Sequence, residues 1–134
     1  MNEARAVLAP VTVAAPITPD PKRPNGFRAR TRMAVTADEP VFAGHYPGRP
    51  IFPGVCLLDT AIRSADLARP PDATGARPLE IESARFTGTV EPGDVLLVDL
   101  SWRPREPGWR CDARLSTDTG AVASIRLRYA GRAS

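Results

Sequence analysis

The sequence predicts an α+β domain in which an antiparallel sheet wraps one buried helix. Three observations carry this reading. Residues 27–35 alternate apolar and basic, residues 55–68 hold one apolar stretch at helical spacing, and four strand-like runs follow residue 78. A chain of 134 residues, 43% hydrophobic and 25% charged, is long enough for one domain with a core of its own.

The elements follow in order. Residues 1–25 are rich in Pro and Ala and read as an extended arm ahead of a single domain over 26–134. Pro10 and Pro16 interrupt the apolar part of this arm, and Glu3 precedes it, which argues against a secretion signal. In 27–35, Phe27, Ala29, Thr31, Met33 and Val35 share one face, and Arg28, Arg30 and Arg32 share the other, as in a half-exposed strand. Over 55–68, Val55, Leu58, Ile62 and Ala65 recur at helical spacing, and Leu57, Ala61 and Ala68 widen the apolar face. Pro70 and Pro71 stop the helix. The runs 79–90, 95–103, 109–117 and 121–129 are parted by Glu91-Pro92-Gly93-Asp94, Glu106-Pro107-Gly108 and Asp118-Thr119-Gly120, so they read as strands of a meander.

Charge and cysteine usage exclude several function classes. The formal net charge is +3, and Lys22 is the sole lysine beside 17 arginines, a skew that fits a GC-rich genome better than a phosphate-binding design. Arg28, Arg30, Arg32, Arg126 and Arg128 read as wet strand faces. No aromatic interleaving or known module accompanies them, so no nucleic-acid partner is expected. No run reaches the length of a membrane span. Cys56 and Cys111 read as buried thiols in a reducing cytoplasm. One histidine and two distant cysteines are too few for zinc, and no metal or cofactor is expected. Trp102, Trp109 and Phe86 read as core or interface residues.

The chemistry concentrates in one stretch. His45, the only histidine, lies in a loop crowded with Gly and Pro, and Asp59 follows fourteen residues later, inside the apolar helix. An imidazole titrates near neutrality and suits a general base. A carboxyl group among Val55, Cys56, Leu58 and Ile62 suits an acid, provided its surroundings keep it protonated. Gly54 opens the helix, where backbone N–H groups lack intrahelical partners and the helix dipole favours negative charge. Pro53 fixes the entry to the helix, and Gly54 admits close approach to the backbone.

The segment Gly44-His45-Tyr46-Pro47-Gly48-Arg49-Pro50-Ile51-Phe52-Pro53-Gly54-Val55, followed by Leu57-Leu58-Asp59, resembles the signature of the 3-hydroxyacyl-carrier-protein dehydratases of FabZ/FabA type. Ala84-Arg85-Phe86-Thr87-Gly88-Thr89-Val90-Glu91-Pro92-Gly93-Asp94 resembles a second strand–turn segment of that family. The resemblance spans roughly residues 27–130 and implies the hotdog fold, a sheet around a central helix. It implies that His45 and Asp59 are the catalytic pair, across the interface of a homodimer or heterodimer, with Gly54 binding the thioester oxygen. It also implies that Tyr46, Pro53 and Phe52 line the acyl tunnel or its loop. The partner implied is an acyl carrier protein bearing a phosphopantetheine-linked 3-hydroxyacyl chain, in fatty-acid or polyketide synthesis. Where the family usually has Gln, four residues past the acid, this chain has Arg63. Either Arg63 contacts Asp59 and favours its carboxylate form, or it faces outward and docks the carrier protein. Two rival readings accompany the dehydratase: a weakly active or non-catalytic subunit that pairs with another hotdog protein, and a hotdog thioesterase.

Overall fold

The computed structural model describes residues 7, 9–42 and 52–131. Six strands form one antiparallel sheet: β1 (Thr12–Pro19), β2 (Phe27–Ala34), β3 (Pro78–Phe86), β4 (Val95–Arg105), β5 (Gly108–Thr117) and β6 (Gly120–Tyr129). Their order across the sheet is β1-β2-β4-β5-β6-β3. Among the described residues a single α-helix, α1 (Gly54–Leu67), lies against the inner faces of β4, β5 and β6. Strand alternation decides which side faces it. Leu96, Val98, Leu100 and Trp102 of β4 are buried, as are Cys111, Ala113 and Leu115 of β5 and Ile125, Leu127 and Tyr129 of β6. From β2, Ala29, Thr31 and Met33 point inward and the three arginines outward, as the alternation predicts.

The helix occupies its predicted place but is rotated from the predicted face. Its buried residues are Cys56, Leu57, Thr60, Ala61, Ser64 and Ala65, whereas Val55 is 64% exposed and Leu58 and Ile62 are half-buried. Small side chains face the sheet because the large rings of Trp102 and Tyr129, 5.0 Å apart, already fill the space beneath. Two polar contacts fix this seat. The Trp102 indole N–H donates to the Ala68 carbonyl at 2.9 Å, and the buried Thr31 hydroxyl donates to the Ser64 hydroxyl at 2.6 Å.

Two further expectations change. The Pro/Ala-rich arm contains β1, which pairs with β2, and the core takes in Val7, which is fully buried. Pro16 and Pro19 hide this strand from a pattern reading, yet proline is tolerated on an edge strand. Nor do the last four strands form a simple meander. β3 pairs with β6 at the far edge, so only β4-β5-β6 are sequential neighbours. The run expected to continue to residue 90 ends at Phe86, and residues 87–94 cross back towards β2. Backbone bonds guide this crossing: Thr87 N–H to Val122 O (2.8 Å), Phe52 N–H to Val90 O (2.8 Å) and Gly93 N–H to Val35 O (2.8 Å). Gly93 turns the chain at φ 98°, a conformation that suits glycine. The crossing thereby ties the entry of α1 to the end of the sheet.

Replacing Thr31 by Val should leave the Ser64 hydroxyl buried without its partner and lower stability by about 1–3 kcal/mol in chemical denaturation. Adding Ser64→Ala should recover part of that loss, because both polar groups are then gone together.

Candidate active site

Pro53 caps α1 in an extended conformation, and its carbonyl accepts from the N–H groups of Cys56 (2.9 Å) and Leu57 (3.3 Å). The amides of Gly54 and Val55 precede the first intrahelical bond, which leaves them available to an anionic group. The Phe86 ring from β3 lies directly over this terminus. A Cβ built on Gly54 would sit 3.2 to 3.4 Å from the ring carbons, so close packing explains the glycine. Phe86 is 46% exposed on its other side. It stands beside the helix terminus as well as on the sheet edge, a position that its sequence reading as a core or interface residue did not specify. Phe52 packs into the core, its ring 6.0 Å from that of Phe42, and supports the junction into the helix from behind.

Asp59 stands on the second turn of α1, on the flank left half-open by the sheet. Its side chain is 36% exposed, but Oδ2 is buried and has no hydrogen-bond partner. Arg63, one turn on, places Nη1 3.7 Å from that oxygen, within reach of charge but beyond a hydrogen bond. The guanidinium is committed elsewhere: Nη2 donates to the Ala9 carbonyl at 2.8 Å and Nη1 to the Val7 carbonyl at 3.5 Å. Of the two expectations for Arg63, the outward, carrier-facing one is therefore not the arrangement found. The residue lies along the helix beside Asp59. His45 and Tyr46 fall outside the described residues.

The structure adds Glu39, which the sequence reading passed over. It is 4% exposed, and Oε2 accepts from the Ala9 N–H at 2.9 Å. Its signal was slight: one carboxylate ahead of Pro40-Val41-Phe42, six residues before the histidine. Cys56 senses both acids. Burial first, then the charges of Asp59 and Glu39, push its thiol up to about 11. Cys111, wholly buried, is raised as well, chiefly by burial. A hollow of about 1150 Å³ lies elsewhere, on the outer face of the sheet among Arg28, Arg30, Asp99, Arg110, Asp112 and Arg126. None of its lining residues comes from α1, so volume is a poor guide to the chemistry here.

Comparison with known proteins bears on the family and the fold. The model of the ApeI-like family, described as ApeI dehydratase, matches residues 21–126. A 3-hydroxyacyl-[acyl-carrier-protein] dehydratase FabZ of Dichelobacter nodosus is 33% identical over 107 residues, covering 69% of this chain and 70% of the relative. The protein of the same name in Verminephrobacter eiseniae is 43% identical over 82 residues, 55% of this chain and 54% of the relative. The chain thus spans between about half and 70% of these relatives. A chain of the dehydratase heterocomplex ApeI:P from Xenorhabdus doucetiae shares the fold, with a TM-score of 0.65 at 22% identity over 77% of this chain and 87% of that one.

Since the thiolate is the reactive form, a Cys56 thiol raised to about 11 should stay protonated and inert at neutral pH. Iodoacetamide at pH 7.5 should leave the native mass unchanged and add two labels after denaturation. Rapid labelling of the native protein would contradict the burial described for both thiols.

Proposed function

Because the chain belongs to the ApeI-like dehydratase family, we propose that it removes water from a 3-hydroxyacyl thioester held on an acyl carrier protein, leaving a 2-enoyl thioester. The observation that carries the proposal is Asp59, a half-open carboxyl one turn beyond a helix terminus whose amides are free of intrahelical bonds. It lies fourteen residues after the only histidine. In the proposed reaction His45 takes a proton from the carbon beside the carbonyl. The electron pair forms the new C2–C3 double bond, and the C3–O bond breaks as Asp59 gives the departing hydroxyl its proton. Water leaves, and proton exchange through solvent restores both side chains. Charge that develops on the thioester oxygen meets the Gly54 N–H, fixed in place before the reaction begins. Tyr46 and Pro53 are assigned to the walls around the acyl chain, whereas Phe52, expected among them, is buried in the core and supports the helix entry. No step requires a metal or cofactor.

The functional unit we propose is a dimer, with the histidine of one subunit facing the acid of the other. The sheet edges support this. β1 carries Pro16 and Pro19, which cannot donate to a further strand, whereas β3 has proline only at its first residue. β3 is exposed along nearly its whole length and presents Leu79, Ile81 and Phe86. Val55 on the helix flank is exposed as well. A second copy paired at β3 would cover that strand. The Xenorhabdus doucetiae heterocomplex motivates one variation, in which the second subunit is a related but different chain. No helix among the described residues is long and apolar enough to cross a membrane, and we assign the chain to the cytoplasm, where acyl carrier proteins work.

Incubation with 3-hydroxyacyl-carrier protein should give a product lighter by one water in mass spectrometry. His45→Ala and Asp59→Asn should each slow the reaction by at least ~10²-fold with the fold intact. Turnover like that of the unaltered protein in either variant would remove the assignment. A product with a free carrier thiol would indicate a thioesterase. Sedimentation at micromolar concentration should show twice the chain mass or a multiple. A folded, inactive monomer that gains activity with a second hotdog chain would favour the heterodimer.

A further inference from the structure

The geometry points to Arg63 as a positioning residue for the proposed dehydration. By gripping the chain ahead of β1, it sets which face of the Asp59 carboxyl meets substrate. This inference rests on the dehydratase reading but goes beyond it, since it concerns a link between the catalytic helix and the N-terminal chain.

Four links form a brace. Asp59 and Arg63 are four apart on α1 and so share one face of the helix. Arg63 spends its planar fork on two backbone carbonyls, Val7 and Ala9. Those carbonyls are themselves anchored. Val7 is fully buried, and the Ala9 N–H is held by the buried carboxyl of Glu39. Glu39 lies six residues before His45, so the brace joins the helix that carries the acid to the chain segment that leads to the base.

The consequence for Asp59 lies in its buried oxygen. Oδ2 is enclosed and receives no hydrogen bond, and a carboxyl oxygen in that condition turns towards water unless something opposes it. The guanidinium, 3.7 Å away, supplies the opposing attraction: it draws the carbonyl dipole of a protonated carboxyl as well as a carboxylate, and so leaves the proton to the other oxygen. Held this way, the carboxyl keeps Oδ2 inward, and its exposed side is left to the open flank of the helix. A Gln at this position has neither the charge nor the reach to serve two carbonyls and an acid. A Lys has the charge but not the fork.

The test compares Arg63→Gln and Arg63→Lys with the unaltered protein in steady-state dehydration of 3-hydroxyacyl-carrier protein. The Ala9 amide is followed in parallel by hydrogen exchange. Both variants should lose ~10-fold or more in kcat, because a small misplacement of a proton donor is costly, while KM stays within about threefold. Exchange at Ala9 should quicken by ~10-fold or more. An unchanged or higher kcat in Arg63→Gln, whatever the exchange shows, overturns the positioning role. Full activity in Arg63→Lys overturns the fork as its basis. Absence of turnover in the unaltered protein removes the dehydratase reading instead. Positioning is then decided by the ¹³C resonance of the Asp59 carboxyl, which should move in Arg63→Gln, and an unmoved resonance refutes it.

Discussion

The seating of α1 against the sheet is the constraint on which the rest depends. A helix this close to a curved sheet must turn small side chains inward, and Thr60, Ala61, Ser64 and Ala65 do so. Trp102 and Tyr129 fill the space beneath, and the Thr31–Ser64 and Trp102–Ala68 hydrogen bonds lock the rotation. Once that rotation is fixed, the remaining positions have no freedom. Val55, Leu58, Asp59 and Ile62 must come out on the opposite flank, Val55 exposed and the other three half-covered. Asp59 is therefore left half-open because the helix turns its small residues to the sheet.

That rotation also explains what sequence periodicity conveyed and what it missed. The helix, β2 and the three strands of the β4-β5-β6 meander were legible because their apolar spacing matches the element that they form. The buried face of α1 was legible in part: Leu57, Ala61, Ala65 and Ala68 are buried as expected, but Cys56, Thr60 and Ser64 join them in place of Val55, Leu58 and Ile62. A hydrophobicity pattern ranks Val55, Leu58 and Ile62 above Ala and Ser, whereas the packing distance selects for size. β1 was illegible because its prolines imitate a disordered arm. The edge position of β3 was illegible because adjacency in sequence says nothing about a chain that crosses the end of the sheet. In the candidate site, the motif singled out Asp59 and Gly54, and the structure sets both on α1. The motif did not indicate the partners of Arg63, since two are backbone carbonyls more than fifty residues away.

Electrostatics divides the molecule into two unlike sides. On the outer face of the sheet, the strand register sets Arg103 beside Arg110, and Arg110 beside Arg128. Like charges placed opposite one another are unfavourable, and Asp112 offsets the strain by reaching Arg110 and Arg126 near 3 Å and Arg103 at 3.9 Å. Each such part-exposed pair contributes little alone, about 0–1 kcal/mol, so the network keeps the face wet more than it holds the fold. A surface of this kind resists packing against an apolar partner.

The location of any subunit contact follows from that charge. A partner excluded from the arginine face, and from an edge strand carrying prolines, is left with the β3 edge and the open flank of α1. These two surfaces adjoin at Phe86, which belongs to β3 and lies over the first residue of the helix. The same residue thus stands at the strand edge and at the helix terminus that would bind a thioester oxygen. A subunit docked there buries apolar area and closes the site to bulk water in one step, which strengthens every charge interaction within it. The fold thereby gives a physical reason for the proposed shared site: the apolar surface at β3 adjoins the helix terminus to which the chemistry is assigned.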